Sequence, residues 1–309
     1  METVIQESSA GQRIDIFLQQ QLNCSRQKVQ QFIKKGLVQV NGKVIKASYK
    51  IQEQDKLTVQ QDTADMTQES SQEKPMPKLD YLYEDECLIV IHKPVNCIVQ
   101  QGVDANEATL LDALKQDART LGPFEEDQRN GIVHRLDRMT EGLLVVAKNK
   151  AAYQQLTKQF KERQVTKKYY ALLKGNVDND ELHINQPIAR NPKERHKYLV
   201  LKEGKEAITD IKVLKRYNSM TLCSIQIKTG RTHQIRVHCQ YAGYPILGDE
   251  KYGDDELNRR FRDRGLRRLF LHAHSLSFEL GGRKISVTAP LPSDLQAILE
   301  EKGADAADF

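Results

Sequence analysis

The first sixty residues carry two helical patterns followed by a hairpin pattern. Apolar residues recur at helical spacing at Ile14, Phe17, Leu18 and Leu22, and again at Val29, Phe32 and Ile33. This predicts two helices, the second beginning near Ser25, whose side chain is a favourable N-cap. Residues 37–44 then alternate around Asn41-Gly42, a dipeptide typical of a two-residue hairpin turn.

Polar residues replace apolar ones after Gln60. Glutamine, serine, threonine, aspartate and glutamate dominate residues 61–74, and Pro75 and Pro77 follow. Such a composition buries too little apolar surface to offset the entropy of ordering, so we expect a flexible linker over 61–79. The boundaries predict a small domain over 11–60 and a larger one over 80–300.

The larger segment alternates irregularly between short apolar runs and helical patterns. Strands are predicted over 87–91, 143–147, 168–173, 221–227, 276–280 and 285–288, and helices over 109–118, 151–161 and 232–241. Irregular alternation favours an α+β fold with a mostly antiparallel sheet over a regular parallel winding.

Basic residues are concentrated near the N-terminus. The chain of 309 residues has a formal net charge of +5, yet residues 11–60 contain nine Lys or Arg against three acidic residues. Basic side chains gathered on one small domain form either a solvated face or a surface for contact with phosphates. The candidate contacts are Arg26, Lys28, Lys34 and Lys35. A second basic run over 259–268 adds Arg267 and Arg268.

Composition also disfavours several classes of protein. No apolar run approaches the roughly 20 residues that span a bilayer, and the polar N-terminus lacks the apolar stretch of a signal peptide. The five cysteines are dispersed without a C-x-x-C pair. This is typical of reduced thiols rather than of disulfides or a zinc site. We therefore expect a cytoplasmic protein with no membrane span and no bound metal.

The densest cluster of candidate chemistry is residues 131–142, which read GIVHRLDRMTEG. They place Asp137 beside Arg135 at the mouth of a predicted strand, where a carboxylate is available for chemistry on an electron-rich or anionic group. Protein kinases carry a related His-Arg-Asp motif. Here Leu136 intervenes, and the chain has neither a glycine-rich phosphate loop nor Asp-Phe-Gly, so phosphoryl transfer has little support.

A second cluster is residues 229–238, which read TGRTHQIRVH. Arg231 is predicted at a strand-to-helix corner, where loop residues commonly face a site, and Thr232 is the expected cap of the helix. Beyond the corner, we interpret the basic residues as a solvated helix start. These are His233, Arg236 and His238.

A third segment, residues 167–172, reads KKYYAL and is predicted to be a strand. Alternation along a strand sends Tyr169 and Tyr170 to opposite faces, so only one of them can share a given pocket.

These segments, together with PILGDEKYG over 245–253 and RRLFLHAH over 267–274, resemble the RluA-type RNA pseudouridine synthases. The likeness is closest to the RluC branch, which modifies large-subunit ribosomal RNA. Residues 11–57, with RIDIFL at 13–18 and GLVQVNG at 36–42, resemble an S4-type RNA-binding module built from two helices and a hairpin.

The resemblance implies that specific uridines of 23S ribosomal RNA become pseudouridines, by cleavage of the N-glycosidic bond and rejoining through C5. It implies that Asp137 is the catalytic aspartate, that Tyr169 lies against the uracil and that Arg231 pairs with Asp137. Arg135 would help to displace or replace the target base. Whether the carboxylate attacks the sugar, removes a proton or stabilises positive charge stays open.

The implied reaction also defines the expected partners. Nothing is oxidised and no group is imported, so neither a cofactor nor a metal is required. We expect a monomer whose partner is ribosomal RNA. Two alternatives are a catalytically silent RNA-binding or ribosome-assembly protein and a carboxylate-dependent glycoside hydrolase, which normally needs a second carboxylate across the scissile bond.

The sequence departs from the family pattern in three places. Gln100 stands where histidine is usual, His92 replaces the common asparagine before Lys93-Pro94, and Glu141 stands where serine is frequent. We expect these differences to affect which RNA sites are accepted more than catalysis itself.

Overall fold

The structure is a computed structural model that describes residues 2–5, 9–22, 26–60, 76–100, 107–117, 124 and 130–301, without the side chains of residues 2 and 26–28. The chain divides near residue 75 into two compact units, which we call the N-terminal and C-terminal units. Most of the linker predicted over 61–79 lies outside the described residues. The predicted domain bounds therefore stay a prediction.

The N-terminal unit combines two helices with a four-stranded antiparallel sheet. The helices are α1 (Ile14–Gln21) and α2 (Arg26–Lys34), and the strands are β1 (Glu2–Val4), β2 (Val38–Val40), β3 (Lys43–Val44) and β4 (Lys56–Val59), in the order β1-β4-β2-β3. Asn41 and Gly42 join β2 to β3 with φ angles of 52° and 71°. Positive φ at both positions is what a tight hairpin turn requires. The predicted hairpin is confirmed, whereas Ser25 lies outside the described residues.

A nine-stranded sheet forms the centre of the C-terminal unit. The strands are β5 (Tyr81–Glu84), β6 (Leu88–Lys93), β7 (Glu141–Ala147), β8 (Thr166–Lys174), β9 (Glu181–Asn185), β12 (Ile208–Tyr217), β13 (Met220–Ile227), β14 (Leu271–Leu280) and β15 (Arg283–Thr288), and a separate ladder joins β10 (Ile188–Arg190) to β11 (Tyr198–Val200). The order in the sheet is β5-β6-β7-β14-β8-β13-β12-β9, with β15 paired to β14. Among the pairs of described strands, β7 runs parallel to β14 and the rest are antiparallel. The predicted α+β class is confirmed.

The described part of the C-terminal unit also contains helices α3 (Leu110–Gln116), α4 (Lys150–Lys161), α5 (Gln234–Tyr241), α6 (Asp255–Arg262) and α7 (Ser293–Glu300). Polar side chains begin three of them, because each accepts a hydrogen bond from an otherwise unpaired N–H of the first turn. Thr109 forms a capping box at α3, Asn149 caps α4 and Asp254 caps α6. The three predicted helices correspond to α3, α4 and α5.

Strand β7 explains where the candidate site lies. Leu144 and Val146 face one apolar cluster, whereas Leu143 and Val145 face another on the opposite side of the sheet. A strand buried on both faces reads as a continuous apolar run. The polar turn that precedes this central strand, with Asp137, is therefore fixed to the middle of the sheet.

Candidate active site

A pocket of about 90 Å³ lies where the turn before β7 meets β8 and the beginning of α5. Asp137, Tyr169 and Arg231, the three predicted catalytic residues, all line it, together with Arg135. A larger groove of about 740 Å³ lies between α4 and the β14–β15 hairpin, and none of these four residues lines it. The smaller pocket is thus the one that brings the predicted chemistry together.

Asp137 lies in a turn that is closed by a hydrogen bond from the Thr140 N–H to the Asp137 carbonyl oxygen, 3.1 Å long. Its side chain is 19% exposed, so the carboxylate reaches the pocket without being freely solvated. The nearest cationic partner is Arg236, whose Nη1 lies 3.7 Å from Asp137 Oδ2. Arg236 therefore places a positive charge beside the carboxylate.

The predicted pairing of Arg231 with Asp137 is wrong. The Arg231 Nε donates instead to the carbonyl oxygen of Glu206 at 2.9 Å, and its backbone N–H donates to the Gln234 side chain at 3.0 Å. Arg231 sits at the corner between β13 and α5 and lines the pocket, as the sequence indicated. The ion pair with the carboxylate nevertheless belongs to Arg236, in the first turn of the helix.

Arg236 is a functional candidate that the sequence interpretation missed. The sequence pattern predicts a solvated helix start, but the Arg236 side chain is only 6% exposed. Its Nε and Nη2 donate to the two carboxylate oxygens of Asp249, each at 2.7 Å. Burial opposes its charge, but the hydrogen bonds to Asp249 and the charges of Asp249 and Asp137 raise the pKa of Arg236 overall. The sequence carries one signal for this burial, because Ile235, Val237 and Cys239 place apolar side chains on more than one side of the helix. In the structure every residue of α5 from Gln234 to Cys239 is buried.

Tyr169 forms one wall of the pocket. Its side chain is 6% exposed, and its position in β8 pairs it with Ile225 and Ala273. Burial and the nearby charge of Asp137 raise the pKa of the Tyr169 phenol, so the hydroxyl stays protonated at neutral pH. Tyr170 points to the other face, where its ring stacks on His274 with centroids 4.2 Å apart. The alternation therefore places the tyrosines as the sequence predicted.

A buried lysine supports the turn that carries Asp137. Lys93, at the end of β6, is 0% exposed, and its Nζ donates to the carbonyl oxygens of Pro94, Cys97 and Arg138 at 2.8, 3.0 and 3.2 Å. Burial lowers the pKa of Lys93 to about 8, while Cys97, Asp137 and Glu141 favour its charged form. Lys93 thus ties the loop after β6 to the residue next to Asp137.

The N-cap of α5 lies one residue later than predicted, and the helix starts at Gln234 rather than at residue 232. His233, rather than Thr232, is the N-cap, with φ of 57° and no side-chain capping bond. The Gln234 side chain instead connects the helix to the preceding corner, because it accepts hydrogen bonds from the Arg231 N–H and the Thr229 hydroxyl. His233 Nδ1 lies 2.7 Å from the Tyr252 hydroxyl, and burial lowers the pKa of His233 to about 4, so the ring is neutral at pH 7. His238 is buried between Thr209 and Gln186, as a structural histidine.

The predicted RNA contacts fall into three groups. Arg135, Lys34, Lys35 and Arg267 are exposed and stay predictions, whereas the side chains of Arg26 and Lys28 lie outside the described residues. The prediction for Arg268 is wrong. Its side chain is 9% exposed, bonds Asp294 through Nε at 2.6 Å and Nη2 at 2.7 Å, and pairs with Glu141 through Nη1. Arg268 is therefore a structural residue.

Within the described residues, no group of three or more His, Cys, Asp or Glu side chains is placed to hold a metal ion. The four cysteines in this part of the chain are free thiols, and Cys97, Cys223 and Cys239 are buried. None of the helices that the structure describes is long and apolar enough to cross a membrane.

Comparison with known proteins adds evidence independent of this geometry. Residues 87–241 match the RNA pseudouridylate synthase family and residues 12–57 match the S4 domain. The chain is 39% identical over 300 residues to an uncharacterised RNA pseudouridine synthase of Bacillus subtilis, with 95% of each protein covered. It is 36% identical over 308 residues to ribosomal large subunit pseudouridine synthase C of Vibrio cholerae, covering 96% of this chain and 94% of that protein.

A solved structure, human RNA pseudouridylate synthase domain containing 1, superposes with a TM-score of 0.57 at 27% identity. That similarity covers 74% of this chain and 96% of the human chain.

Proposed function

Because this chain belongs to the RNA pseudouridine synthase family, we propose that it converts specific uridines of 23S ribosomal RNA to pseudouridines, with Asp137 as the catalytic carboxylate. The relative from Vibrio cholerae, which is named for the ribosomal large subunit, supports the choice of substrate. One observation supports the choice of residue. Asp137 is a partly exposed carboxylate that shares one pocket with an aromatic wall, Tyr169, and a buried cation, Arg236.

The reaction breaks the bond between uracil N1 and ribose C1′, turns the base, joins C5 to C1′ and moves the C5 proton to the released nitrogen. An ionised Asp137 can attack C1′, accept a proton from the sugar or stabilise positive charge on it. The pKa of Tyr169 is raised by burial and by Asp137, so its phenol supplies a flat apolar face and an O–H donor rather than a base. The atoms and electrons balance within one nucleotide, so the chemistry needs no cofactor.

The target base must leave its helix before it reaches this pocket. Unstacking a base costs a few kcal/mol. Arg135 is exposed and lines the pocket, where its guanidinium can occupy the place of the displaced base. The S4 domain of the N-terminal unit, with exposed Lys34 and Lys35, adds phosphate contacts that offset the cost. We expect the protein to act as a monomer in the cytoplasm on ribosomal RNA or a precursor of the large subunit.

Mapping of pseudouridine in ribosomal RNA tests this proposal. A deletion strain is complemented with the wild type, with Asp137→Ala or with Asp263→Ala, a control at an exposed position after α6. Primer extension should show pseudouridine restored by the wild type and by the control, and absent with Asp137→Ala. Full modification with Asp137→Ala would remove Asp137 from the mechanism.

A second assay separates the alternatives of another class. Purified protein is incubated with ribosomal RNA that carries labelled uridine. An isomerase yields labelled pseudouridine and no free uracil, whereas a glycoside hydrolase releases uracil. A silent RNA-binding protein yields neither product, and that result would overturn the proposal.

A further inference from the structure

We infer that Asp249 is a positioning residue for the reaction, because it fixes the Arg236 guanidinium so that one remaining N–H edge faces Asp137. The inference rests on the proposed function of the same pocket. Asp249 is 1% exposed and lies 13 residues after Arg236, beyond the end of α5. It belongs to the PILGDEKYG segment, whose chemistry the reaction as proposed does not use.

The Asp249 carboxylate is fully engaged in holding its own loop and Arg236. Its Oδ1 accepts from the backbone N–H of Lys251 at 2.9 Å and of Tyr252 at 3.0 Å, as well as from Arg236 Nη2 at 2.7 Å. Its Oδ2 accepts from Arg236 Nε at 2.7 Å. Two parallel charge-assisted bonds to one carboxylate fix both the position and the plane of a guanidinium.

The nitrogen atoms of the Arg236 guanidinium thus face two different carboxylates, those of Asp249 and Asp137. Nε and Nη2 are taken up by Asp249 at hydrogen-bond distance, and Nη1 is left 3.7 Å from Asp137 Oδ2. A separation of 3.7 Å exceeds that of a hydrogen bond. Arg236 therefore places its positive charge beside Asp137 without forming a hydrogen bond to it. The lone pairs of the Asp137 carboxylate that face Arg236 stay available to react.

The face of the guanidinium is held as well as its edge. The Tyr252 ring covers Arg236, with its centroid 4.9 Å from Cζ. The Tyr252 hydroxyl accepts from the Tyr198 backbone N–H at 2.8 Å and lies 2.7 Å from His233 Nδ1. Burial keeps the His233 ring neutral, and its Nδ1 shares a hydrogen bond with the Tyr252 hydroxyl. Tyr252 is thus fixed at both ends and prevents the guanidinium from tilting.

The backbone of this loop leaves little freedom for adjustment. Gly248 has φ of +74°, and a Cβ there would lie 2.0 Å from the Arg268 carbonyl oxygen. A Cβ on Gly253 would lie 2.2 Å from the Asp249 carbonyl oxygen. Asn258 in α6 donates to that same carbonyl oxygen and accepts from the Gly248 N–H. The loop is therefore locked before and after Asp249, which is what precise placement of Arg236 requires.

Single-turnover kinetics with a fragment of ribosomal RNA test the inference. At saturating enzyme, Asp249→Asn should lower the rate of pseudouridine formation about 100-fold, because misplacing a group at the reacting centre by about 1 Å costs that much. The apparent affinity for RNA should stay within twofold. In an Arg236→Gln background, Asp249→Asn should change the rate less than twofold, because its effect passes through Arg236. An unchanged rate for Asp249→Asn, or an equal loss in both backgrounds, would overturn the inference.

Two further measurements cover the case that Asp249→Asn does not fold. Tyr252→Phe keeps the ring and removes only the hydroxyl, so it should lower the single-turnover rate about tenfold. Tyr241→Phe, at an exposed position in α5, is the matched control and should behave as the wild type. Equal rates for the two variants would contradict the role of Tyr252 in holding Arg236.

Nuclear magnetic resonance of labelled arginine gives a readout that does not depend on turnover. In the wild type, the two Nη groups of Arg236 should give separate signals because rotation about the Nε–Cζ bond is blocked. A single averaged Nη signal for Arg236 in the wild type would overturn the inference even if the enzyme is active. Resolved signals in a protein that forms no pseudouridine would support the positioning of Arg236 and refute the proposed function.

Discussion

The adjacent residues Arg267 and Arg268 test whether an arginine of the basic run stabilises the fold or binds RNA. Arg268 is 9% exposed and bonds Asp294 and Glu141, whereas Arg267 is exposed. Replacement of each by methionine keeps most of the apolar stem and removes only the charged end. The sequence presents the two as equivalent members of one basic run, so any difference between the variants comes from the fold.

The expected magnitude for Arg268→Met follows from its partners. Removing one member of a buried ion pair costs about 3–5 kcal/mol, because the remaining charge stays buried without compensation. Glu141 is 13% exposed, but Asp294 is 54% exposed and can be solvated, so the lower end of that range applies. A loss of about 3 kcal/mol lowers the melting temperature of a unit of this size by about 6–12 °C. Arg267→Met should change the stability by less than about 0.5 kcal/mol.

Thermal unfolding and RNA binding are measured on the full chain for both variants. Circular dichroism follows the transition of the C-terminal unit, and fluorescence anisotropy follows binding to a ribosomal RNA fragment at several salt concentrations. If Arg267 contacts a phosphate, Arg267→Met should reduce the slope of log K against log salt by about 0.7–0.9. A variant Arg268→Met that melts like the wild type but loses RNA affinity would refute the structural role of Arg268.

Two other expectations follow from buried groups of the C-terminal unit. Burial lowers the pKa of His272 to about 3, so below pH 6.5 the unfolded chain takes up a proton that the folded chain does not. Stability is therefore lost as the pH falls, by about 1.6 kcal/mol from this residue between pH 6.5 and 5. In urea unfolding, the stability of His272→Asn should fall with pH by that much less than the stability of the wild type. An equal fall in both proteins would contradict the expectation. Gly142 has φ of 120°, and a Cβ there would lie 2.3 Å from the Ala273 carbonyl oxygen across the β7–β14 pair. Gly142→Ala should lower the free energy of unfolding, measured with urea, by more than about 1 kcal/mol. The control Gly230→Ala, whose Cβ meets open space, should leave it unchanged. Equal losses in the two variants would contradict the expectation.

Most of the secondary structure near the site was predictable because it depends on local pattern. Asn41-Gly42 requires a tight turn, and the apolar run over 143–147 requires a strand buried on both faces. The strands from β9 to β12 escaped prediction. β12 alternates buried and exposed positions with several charged residues, and it lies near the edge of the sheet where one face meets solvent. Such strands are specified by their neighbours more than by their own composition.

The sequence did not reveal the burial of Arg268 and Lys93. Arg268 is buried because Glu141, 127 residues earlier in the chain, lies beside it at the start of β7. Lys93 is buried because three carbonyl oxygens converge on its ammonium group. The sheet brings Glu141 to Arg268, whereas Lys93 is bonded by the loop that follows it and by the distant Arg138 carbonyl oxygen. Neither set of partners can be predicted from the pattern of residues around the buried cation.

The exchange of roles between Arg231 and Arg236 has a specific geometric cause. The family resemblance implied that Arg231 pairs with Asp137, and a loop residue at the end of a strand commonly faces a site. Side chains on a helix tilt toward its N-terminus, so Arg236, in the first turn of α5, points back toward the corner that holds the pocket. Arg231 lies before the cap, where its guanidinium meets the Glu206 carbonyl oxygen instead. Of the two arginines in this motif, Arg236 inside the helix is therefore the one that faces the Asp137 carboxylate. Asp249 fixes the other edge of the Arg236 guanidinium.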